Sequence, residues 1–399
     1  KYFHGQTSVY RKELISWTKS SKEDMKVEFF RHNIDESDIR RVGNVLKSIF
    51  LTTGDIVQSF EQKLAIYLGS KSVVGVTSCT AALHLCLLAW NIGESDEVIT
   101  TPMSFCATAN AILHAGAIPV FVDVEEETGN INSELIEDAI TEKTKAIMPV
   151  HLYGQLCDMR KIHEIAKKYK LVVIEDAAHA IEAQRDGIKP GNLSDCVCFS
   201  FYATKNITSG EGGAISTNDT EKANLLNMLR LHGIDKSAID RYTKRYQHWD
   251  MSALGWKYNM DNIQASLLIG QLARIDKFWE RRNYIWNLYE EKLRDVKGIE
   301  ILKTVADSRH ARHLFTIQVT DKKRDSVLVS LQEKGIGVAV NYRPIHLLKY
   351  YRSTYGFKEG DFPVAEKIGV RTISLPLYPG LKDIEVDYIV TSLQNILKS

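Results

Sequence analysis

The sequence has 399 residues, of which 44% are hydrophobic and 25% are charged. This balance is typical of a globular protein and excludes disordered and fibrous chains. The 51 basic and 50 acidic residues give a formal net charge of +1, without the basic excess of a nucleic-acid-binding protein. We therefore expect no nucleic-acid partner, and the length suits one large domain with a smaller one.

The sequence contains no pattern of a membrane or secreted protein. No apolar run approaches the ~20 residues that span a bilayer, and the first residues do not form a signal peptide. The six cysteines form no CxxC pair, and so few in a chain of this length do not indicate a disulfide scaffold. We therefore expect a cytoplasmic protein without a membrane partner.

Strands and helices alternate along the first two thirds of the chain. Residues 1–25 are polar and predict an N-terminal extension. Continuous apolar runs separated by helical patterns predict an α/β domain with strands buried on both faces of a mostly parallel sheet. Helices are expected after Asp55 and Ser78, and over 107–114, 133–140 and 159–169. Strands are expected over 73–76, 98–101, 119–122, 146–150, 171–174 and 214–217, and residues 199–201 are expected to end another.

The last third of the chain predicts a second, smaller unit. Residues 261–293 have the pattern of one long helix that Asp261 or Asn262 could cap. A strand over 314–319, a helix that Asp321 caps and that ends at Gly335, a strand over 336–340 and a final helix from Asp383 follow. We therefore place a large domain at 26–278 and a small C-terminal domain at 279–399.

Two segments that follow predicted strands carry residues suited to a ligand, because open α/β sheets bind ligands at the carboxyl ends of their strands. Cys79, Thr80 and Ala81 open a helix, and its free N–H groups and positive dipole end suit a phosphate. A plain helix N-cap is the alternative. Asp176 follows a buried strand, where a carboxylate needs a partner such as a protonated pyridine nitrogen. Capping of the next helix is the alternative.

Lys205 is the basic residue of the segment FSFYATKNITSGEGGA. A desolvated lysine titrates low enough to act as a nucleophile and to form Schiff bases. A surface lysine beside a glycine-rich hairpin is the alternative, and the segment has neither a Walker loop nor a dinucleotide fingerprint. His310 and His313 have helix-like spacing but no third ligand nearby, so we expect no metal site.

Together these segments occur in the order phosphate loop, acid, lysine, with Lys205 lying 29 positions after Asp176. From about Val27 to the C-terminus, and above all in IEDAAHA and FSFYATKNITSGEGG, the chain resembles the DegT/DnrJ/EryC1/StrS family of sugar-nucleotide aminotransferases. The resemblance implies the fold of fold-type I PLP-dependent transferases. That fold has a large domain with a mostly parallel seven-stranded sheet flanked by helices, and a smaller C-terminal α/β domain.

The resemblance also implies pyridoxal 5′-phosphate (PLP) as cofactor and gives roles to individual residues. Lys205 would hold PLP covalently, Asp176 would pair with the pyridine nitrogen, and His179 would lie near the phenolic oxygen. Phe105 resembles the aromatic residue that covers the ring. Asn259 resembles one that reaches the phosphate of the neighbouring subunit, which implies a homodimer with shared active sites. The implied phosphate contacts are Cys79, Thr80, Ala81 and Ser200.

For substrates, the resemblance implies L-glutamate as amino donor and a nucleotide-linked keto sugar as acceptor. The segments EFFRHNIDESDI and WKYN are most similar to members that aminate carbon 4 of UDP-linked 4-keto-6-deoxy hexoses. A carbon-3 sugar or cyclitol aminotransferase, and a non-catalytic sugar-nucleotide binder, are the alternatives. Implied substrate contacts are Thr53, Gly54, Tyr342, Arg343 and His346; for the last three, a surface loop is the alternative.

The chain departs from the family pattern on the substrate side. Tyr202 and Ala203 stand where many members have His-Pro, and Phe50 stands where a Trp is common. These departures concern which sugar is used and leave the cofactor chemistry intact. A related branch of dehydratases has His in place of the lysine, and Lys205 argues against that branch.

Overall fold

The computed structural model of the chain describes residues 25–235 and 248–398. The predicted extension therefore lies outside the described residues except for Met25. In the described part of the chain the strands are β1 Ser72–Val76, β2 Glu97–Thr100, β3 Ile118–Phe121, β4 Thr144–Ile147, β5 Val172–Asp176, β6 Gln184–Arg185, β7 Cys196–Ser200, β8 Gly213–Thr217, β9 Ile299–Ile301, β10 Ser308–Arg309, β11 Phe315–Val319 and β12 Thr372–Leu375.

Seven of these strands form one sheet in the order β1-β8-β7-β5-β4-β2-β3. Strands β7, β5, β4, β2 and β3 pair in parallel, and β8 runs antiparallel to both of its neighbours. The sequence-based expectation of a mostly parallel seven-stranded sheet is thus confirmed. Its strands are short, apolar and rich in valine and isoleucine, as strands buried on both faces are.

Helices cover the sheet and build the C-terminal part of the chain. In the described residues they are α1 Glu36–Leu46, α2 Asp55–Leu68, α3 Cys79–Ala89, α4 Ala107–His114, α5 Met159–Tyr169, α6 Thr220–Leu229, α7 Asn262–Leu272, α8 Ile275–Leu293, α9 Arg324–Glu333, α10 Lys349–Tyr355, α11 Pro363–Arg371 and α12 Asp383–Lys398. None of these helices combines the length and the apolar character that crossing a membrane requires.

Separate hydrophobic clusters pack against the seven-stranded and the three-stranded sheet; β6 and β10 pair in a small two-stranded sheet. On one face of the large sheet, Phe60 of α2 meets Phe201 edge to face with ring centroids 5.5 Å apart. On the other face, α3 buries Leu83 and its neighbours against β7. Trp286 of α8 packs on Phe315 in a third cluster, around the antiparallel sheet β12-β11-β9. The boundary at residue 278 falls inside α8 and stays a prediction.

Two predicted helices differ in the structure. Residues 261–293 form α7 and α8, which are separated at Ala273 and Arg274. Asp261 caps α7, as predicted, by accepting from Gln264 N at 2.8 Å. The break falls where the guanidinium of Arg274 binds Asp38 at 2.6 Å, an interaction from a distant part of the chain. Residues 133–140 form two short 3₁₀ turns, Ser133–Leu135 and Glu137–Ala139, because Asn132 caps the first and Ile140 is extended.

Two further predictions in the C-terminal unit are wrong. Residues 336–340 do not form a strand of the small sheet. Ile336 makes an isolated parallel bridge to Val27, where the N-terminal segment runs alongside, and Ala339 makes an isolated antiparallel bridge to Ser374 of β12. Asp321 does not cap a helix, since its side chain accepts from Thr320 Oγ1 at 2.9 Å and α9 begins after Lys323.

Gly213 lets the reversed strand β8 fit beside the loop that follows β1. It pairs with Val76 of β1 and Ser200 of β7, so β8 begins at the edge where those strands end. A Cβ atom on Gly213 would lie 2.4 Å from the carbonyl carbon of Ser78. The glycine therefore serves a close approach of two backbones, whereas Gly210, with φ +80°, serves the turn.

Replacing Gly213 with alanine is therefore expected to destabilise the protein. The added methyl group meets backbone atoms that cannot move alone, and overpacking of this kind costs about 1–3 kcal/mol or more. Urea unfolding measures the change. Gly43→Ala is the matched control, because nothing lies within 4 Å of that position in α1. The control is expected to raise the free energy of unfolding by up to about 1 kcal/mol.

Candidate active site

A cavity of about 530 Å³ opens at the edge of the large sheet where β1, β5 and β7 end. Its position follows from the topology, since the carboxyl ends of these parallel strands meet there. The cavity collects eight of the residues that the sequence singled out: Cys79, Thr80, Phe105, Asp176, His179, Ser200, Lys205 and Tyr342.

Asp176 ends β5 as a buried carboxylate with three donors around it. Its Oδ2 accepts from Thr108 Oγ1 at 2.8 Å, and its Oδ1 accepts from Ala178 N at 3.1 Å. Cys79 Sγ lies 3.9 Å from Oδ1. Burial, followed by the charge of Asp176, raises the pKa of the Cys79 thiol well above its ordinary value, so the thiol stays a neutral donor. The surroundings therefore hold the carboxylate in a fixed orientation.

Lys205 lies half-buried in a tight turn after β7, and its side chain lines the cavity. The turn is closed by the amide of Lys205, which donates to the carbonyl of Tyr202 at 2.9 Å. Burial lowers the pKa of Lys205 to about 8, and the Cys79 and Asp176 side chains act in the opposite direction. Close to neutral pH a useful fraction of the amine is therefore unprotonated and nucleophilic.

This pKa predicts the pH dependence of Lys205 reactivity in the cofactor-free protein. The reaction with an amine-selective reagent should rise with pH around a midpoint of about 8, because the neutral amine is the reactive form. The labelling of exposed lysines should rise with pH around a midpoint near 10.4. Peptide mapping after brief labelling from pH 6.5 to 10 measures both. A Lys205 midpoint near that of the exposed lysines would contradict the prediction.

The start of α3 faces the same cavity. Ser78 caps the helix, and its Oγ accepts from Ala81 N at 3.1 Å. The amide of Ala81 is therefore engaged by the cap, and Ala81 does not line the cavity, although the sequence placed it there. The helix N-terminus still presents Cys79 and Thr80, and its positive dipole end favours an anion.

His179 and Tyr342 also line the cavity. His179 Nδ1 accepts from Tyr153 N at 3.2 Å, and Nε2 lies 3.1 Å from Tyr342 Oη. Burial, reinforced by the charge of Lys205, lowers the pKa of His179 well below its ordinary value. Phe105 is 58% exposed, with its ring centroid 6.0 Å from that of Tyr342. The cavity is therefore polar at its base and aromatic along this side.

Other predicted residues do not line this cavity. Asn259 donates to Thr53 Oγ1 at 2.7 Å, and Thr53 donates to the carbonyl of Met260 at 2.6 Å. Gly54 is packed against Asn262. The role predicted for Asn259 concerns the phosphate site of the neighbouring subunit, and its side chain lies outside the cavity of its own chain.

Arg343 and His346 also lie outside the cavity. Arg343 is exposed on the loop before α10. His346 is fully buried, with Nε2 2.9 Å from Glu366 Oε1 and its ring against Phe362. In the segment VNYRPIHLLKYY, Asn341 and Tyr342 line the cavity, whereas His346 packs into an aromatic cluster.

The sequence-based reasoning missed several residues of the cavity. Ser104 and Thr108 follow β2, so the rule about strand ends could have found them. His313 was considered as a metal ligand alone. Among the described residues no three His, Cys, Asp or Glu side chains are grouped to hold a metal ion. Phe29 reaches the cavity from the N-terminal segment, and no pattern in the sequence indicates that contact.

The fold and the cavity together define a class of protein. A mostly parallel seven-stranded sheet that brings a lysine, a buried acid and a helix N-terminus into one cavity is the arrangement of fold-type I transferases. The model of the DegT/DnrJ/EryC1/StrS aminotransferase family matches residues 32–394. The chain belongs to this family, as the sequence resemblance indicated.

Individual relatives agree along nearly their whole length. The chain is 42% identical over 371 residues to the spore coat polysaccharide biosynthesis protein SpsC of Bacillus subtilis, covering 92% of this chain and 95% of that protein. It is 37% identical over 377 residues to UDP-4-amino-4-deoxy-L-arabinose–oxoglutarate aminotransferase of Shewanella sediminis, covering 92% and 97%. The PMP form of Spr1654 from Streptococcus pneumoniae superimposes with a TM-score of 0.89 at 31% identity, covering 94% and 99%, and a PLP form of it is also known.

The chain is therefore a PLP-dependent sugar aminotransferase, and its cavity fits the cofactor. The buried carboxylate of Asp176 suits a cationic ring nitrogen, and the amine of Lys205 suits an aldehyde. The start of α3 suits the phosphate. These three groups have different chemistry, and each matches a different part of PLP.

Proposed function

We propose that this enzyme transfers an amino group from L-glutamate to carbon 4 of a UDP-linked 4-keto-6-deoxy hexose, in amino-sugar and surface-polysaccharide biosynthesis. The observation that carries the transfer is the convergence of Lys205, Asp176 and the start of α3 in one cavity. The UDP-linked substrate and carbon 4 rest on the resemblance of the substrate-side segments. The relative from Shewanella sediminis, whose name contains a UDP-linked 4-amino sugar, supports them.

In this proposal each protein group interacts with a different part of the cofactor. Asp176 holds the ring nitrogen in its protonated form, and three donors fix the carboxylate for that contact. Thr80, Cys79 and Ser200 would hold the phosphate, Phe105 would cover the ring, and His179 would interact with the phenolic oxygen. PLP, when bound, supplies the electron-withdrawing ring on which the amino group is carried.

Lys205 acts as the general base and acid. Its Nζ would move the proton between the α-carbon of the amino donor and carbon C4′ of the cofactor. The lowered pKa of about 8 suits this exchange, because both protonation states are accessible near neutral pH. The same amine binds the aldehyde of PLP when no substrate is present.

We propose a homodimer in which Asn259 completes the phosphate site of the neighbouring subunit. The side chain of Asn259 lies outside its own cavity, beside Thr53 and Lys257, and is held there by hydrogen bonds. Thr53 and Gly54 would then meet the substrate from the neighbouring subunit as well. Sedimentation of the purified protein tests the dimer, and Asn259→Ala tests its contribution to PLP affinity.

A substrate panel tests the proposed reaction. The enzyme is incubated with PLP, L-glutamate and UDP-linked or dTDP-linked hexoses that carry the keto group at carbon 4 or at carbon 3, and NMR identifies the amino sugar. We expect 2-oxoglutarate and a 4-amino UDP-sugar. A product aminated at carbon 3, or amination of a cyclitol, would favour those alternatives. A protein that binds the UDP-sugar but releases no 2-oxoglutarate would favour the non-catalytic binder.

A further inference from the structure

A buried chain of polar side chains runs from α8 to the cavity. Arg282 Nη2 donates to Glu182 Oε1 at 2.5 Å, and Glu182 Oε2 accepts from Asn206 Nδ2 at 2.7 Å. Asn206 Oδ1 lies 3.0 Å from Nδ1 of His313, which lines the cavity. All four side chains are at least nine-tenths buried, and Asn206 directly follows Lys205. This series of side chains thus reaches the cavity at His313 and includes the residue that follows Lys205 in the sequence.

The hydrogen bonds of Asn206 determine which nitrogen of His313 carries the proton. Asn206 Nδ2 donates both of its protons, to Glu182 and to the carbonyl of Ala311 at 3.1 Å. The opposite orientation of the amide would set Oδ1 against two acceptors, so it is excluded. Oδ1 can therefore only accept from His313, which must have its proton on Nδ1. Neutral His313 then has an unprotonated Nε2.

The same reasoning gives His179 the opposite tautomer. Its Nδ1 accepts from a backbone amide, so neutral His179 carries its proton on Nε2 and donates to Tyr342 Oη. The rings of His179 and His313 pack with centroids 4.4 Å apart at 34°. Burial lowers the pKa of both imidazoles, with Lys205 acting in the same direction, which keeps them neutral. Each ring thus has one tautomer and one fixed neighbour.

We propose that His313 is a positioning residue for His179, held with its proton on Nδ1 by the chain Arg282–Glu182–Asn206. Its ring packs against the imidazole of His179, whose ring is in turn nearly parallel to that of Tyr342, at 13°. The hydrogen bond from His179 to Tyr342 then keeps its direction. The kinetic consequence of this inference rests on the proposed function. The two tautomers do not depend on that function.

NMR of the holoenzyme with ¹⁵N-labelled histidine tests the tautomers directly, with His313→Gln and His179→Gln used for assignment. We expect His313 to be protonated at Nδ1 and His179 at Nε2. In Asn206→Ala, His313 should lose its single tautomer and the His179 signals should move. For transamination with L-glutamate, kcat should fall about 10- to 100-fold while KM changes less than about threefold.

Tyr289→Phe is the matched control, because it also removes a buried hydrogen bond, from Tyr289 Oη to the carbonyl of Pro376 at 3.0 Å, in another part of the protein. It should leave both tautomers unchanged. His313 protonated at Nε2 in the wild-type holoenzyme would overturn the proposal, and this result needs no variant to fold. Unchanged His179 signals and kcat in folded Asn206→Ala would overturn it as well. Correct tautomers without any transamination would instead contradict the proposed function.

Discussion

Replacing Lys205 with alanine is expected to lower kcat for amino-group transfer by about 10⁴-fold or more. The variant loses both the amine that binds the cofactor aldehyde and the base that moves the proton. No other described lysine side chain lines the cavity, so no second primary amine is at hand to bind the cofactor aldehyde. PLP should still bind through Asp176 and the start of α3, because those contacts do not involve the lysine.

Absorbance spectroscopy of the purified protein with PLP measures this loss. The wild-type protein should show a visible band that bleaches when L-glutamate is added, and Lys205→Ala should show neither the protein-bound band nor the bleaching. Lys222→Ala is the control, since that ammonium donates to the carbonyl of Ala89 at 2.6 Å, away from the cavity. A variant that keeps the glutamate-dependent bleaching at the wild-type rate would refute the role given to Lys205.

The sequence predicted the part of the fold that local patterns control. Residues 171–174 are apolar and end at Glu175 and Asp176, and this pattern yields β5 with an acid at its carboxyl end. Helix α5 has the bounds that the sequence predicted, Met159–Tyr169, and the structure shows that Asp158 caps it by accepting from Lys161 N at 3.1 Å. The separation of α7 from α8 was not predictable, because the ion pair of Arg274 with Asp38 joins residues far apart in the chain.

The same distinction applies to the site. Lys205 and Asp176 were recognisable because each follows a buried strand and because the family resemblance connects them. Thr108 is found by the same rule once the end of β2 is considered. His313 and Glu182 were not recognisable, since their function depends on hydrogen bonds to Asn206 that no sequence spacing reveals. The sequence analysis placed His346 near the substrate. Its burial beside Phe362 depends on tertiary packing, which the sequence does not reveal.

Replacing Asp176 with asparagine is expected to lower kcat by about 10²- to 10³-fold with the fold intact. Asparagine has the same shape, and its Oδ1 can still accept from Ala178 N. Its Nδ2 would face the hydroxyl of Thr108, which can rotate to accept, because that oxygen also lies 2.8 Å from Ser104 Oγ. The variant therefore removes the negative charge that holds a cationic ring nitrogen while it keeps the hydrogen bonds.

A second consequence concerns Lys205 and can be measured without cofactor. The charge of Asp176 stabilises the Lys205 ammonium and raises its pKa, against the larger effect of burial. In Asp176→Asn the midpoint of Lys205 labelling should therefore fall below about 8. Thr108→Val is the matched variant, because it removes one donor to the carboxylate and keeps the charge. It should lower kcat about tenfold and shift the midpoint little.

The two variants together separate the charge of the carboxylate from its orientation. If the charge is what the reaction requires, Asp176→Asn has the larger kinetic effect and is the one that shifts the Lys205 midpoint. Equal losses in the two variants would show that orientation alone matters, and a kcat for Asp176→Asn within about threefold of wild type would remove Asp176 from the mechanism. Because the carboxylate is buried against three donors, dissolved ions screen its charge little, and the loss in the variant should therefore depend little on salt concentration.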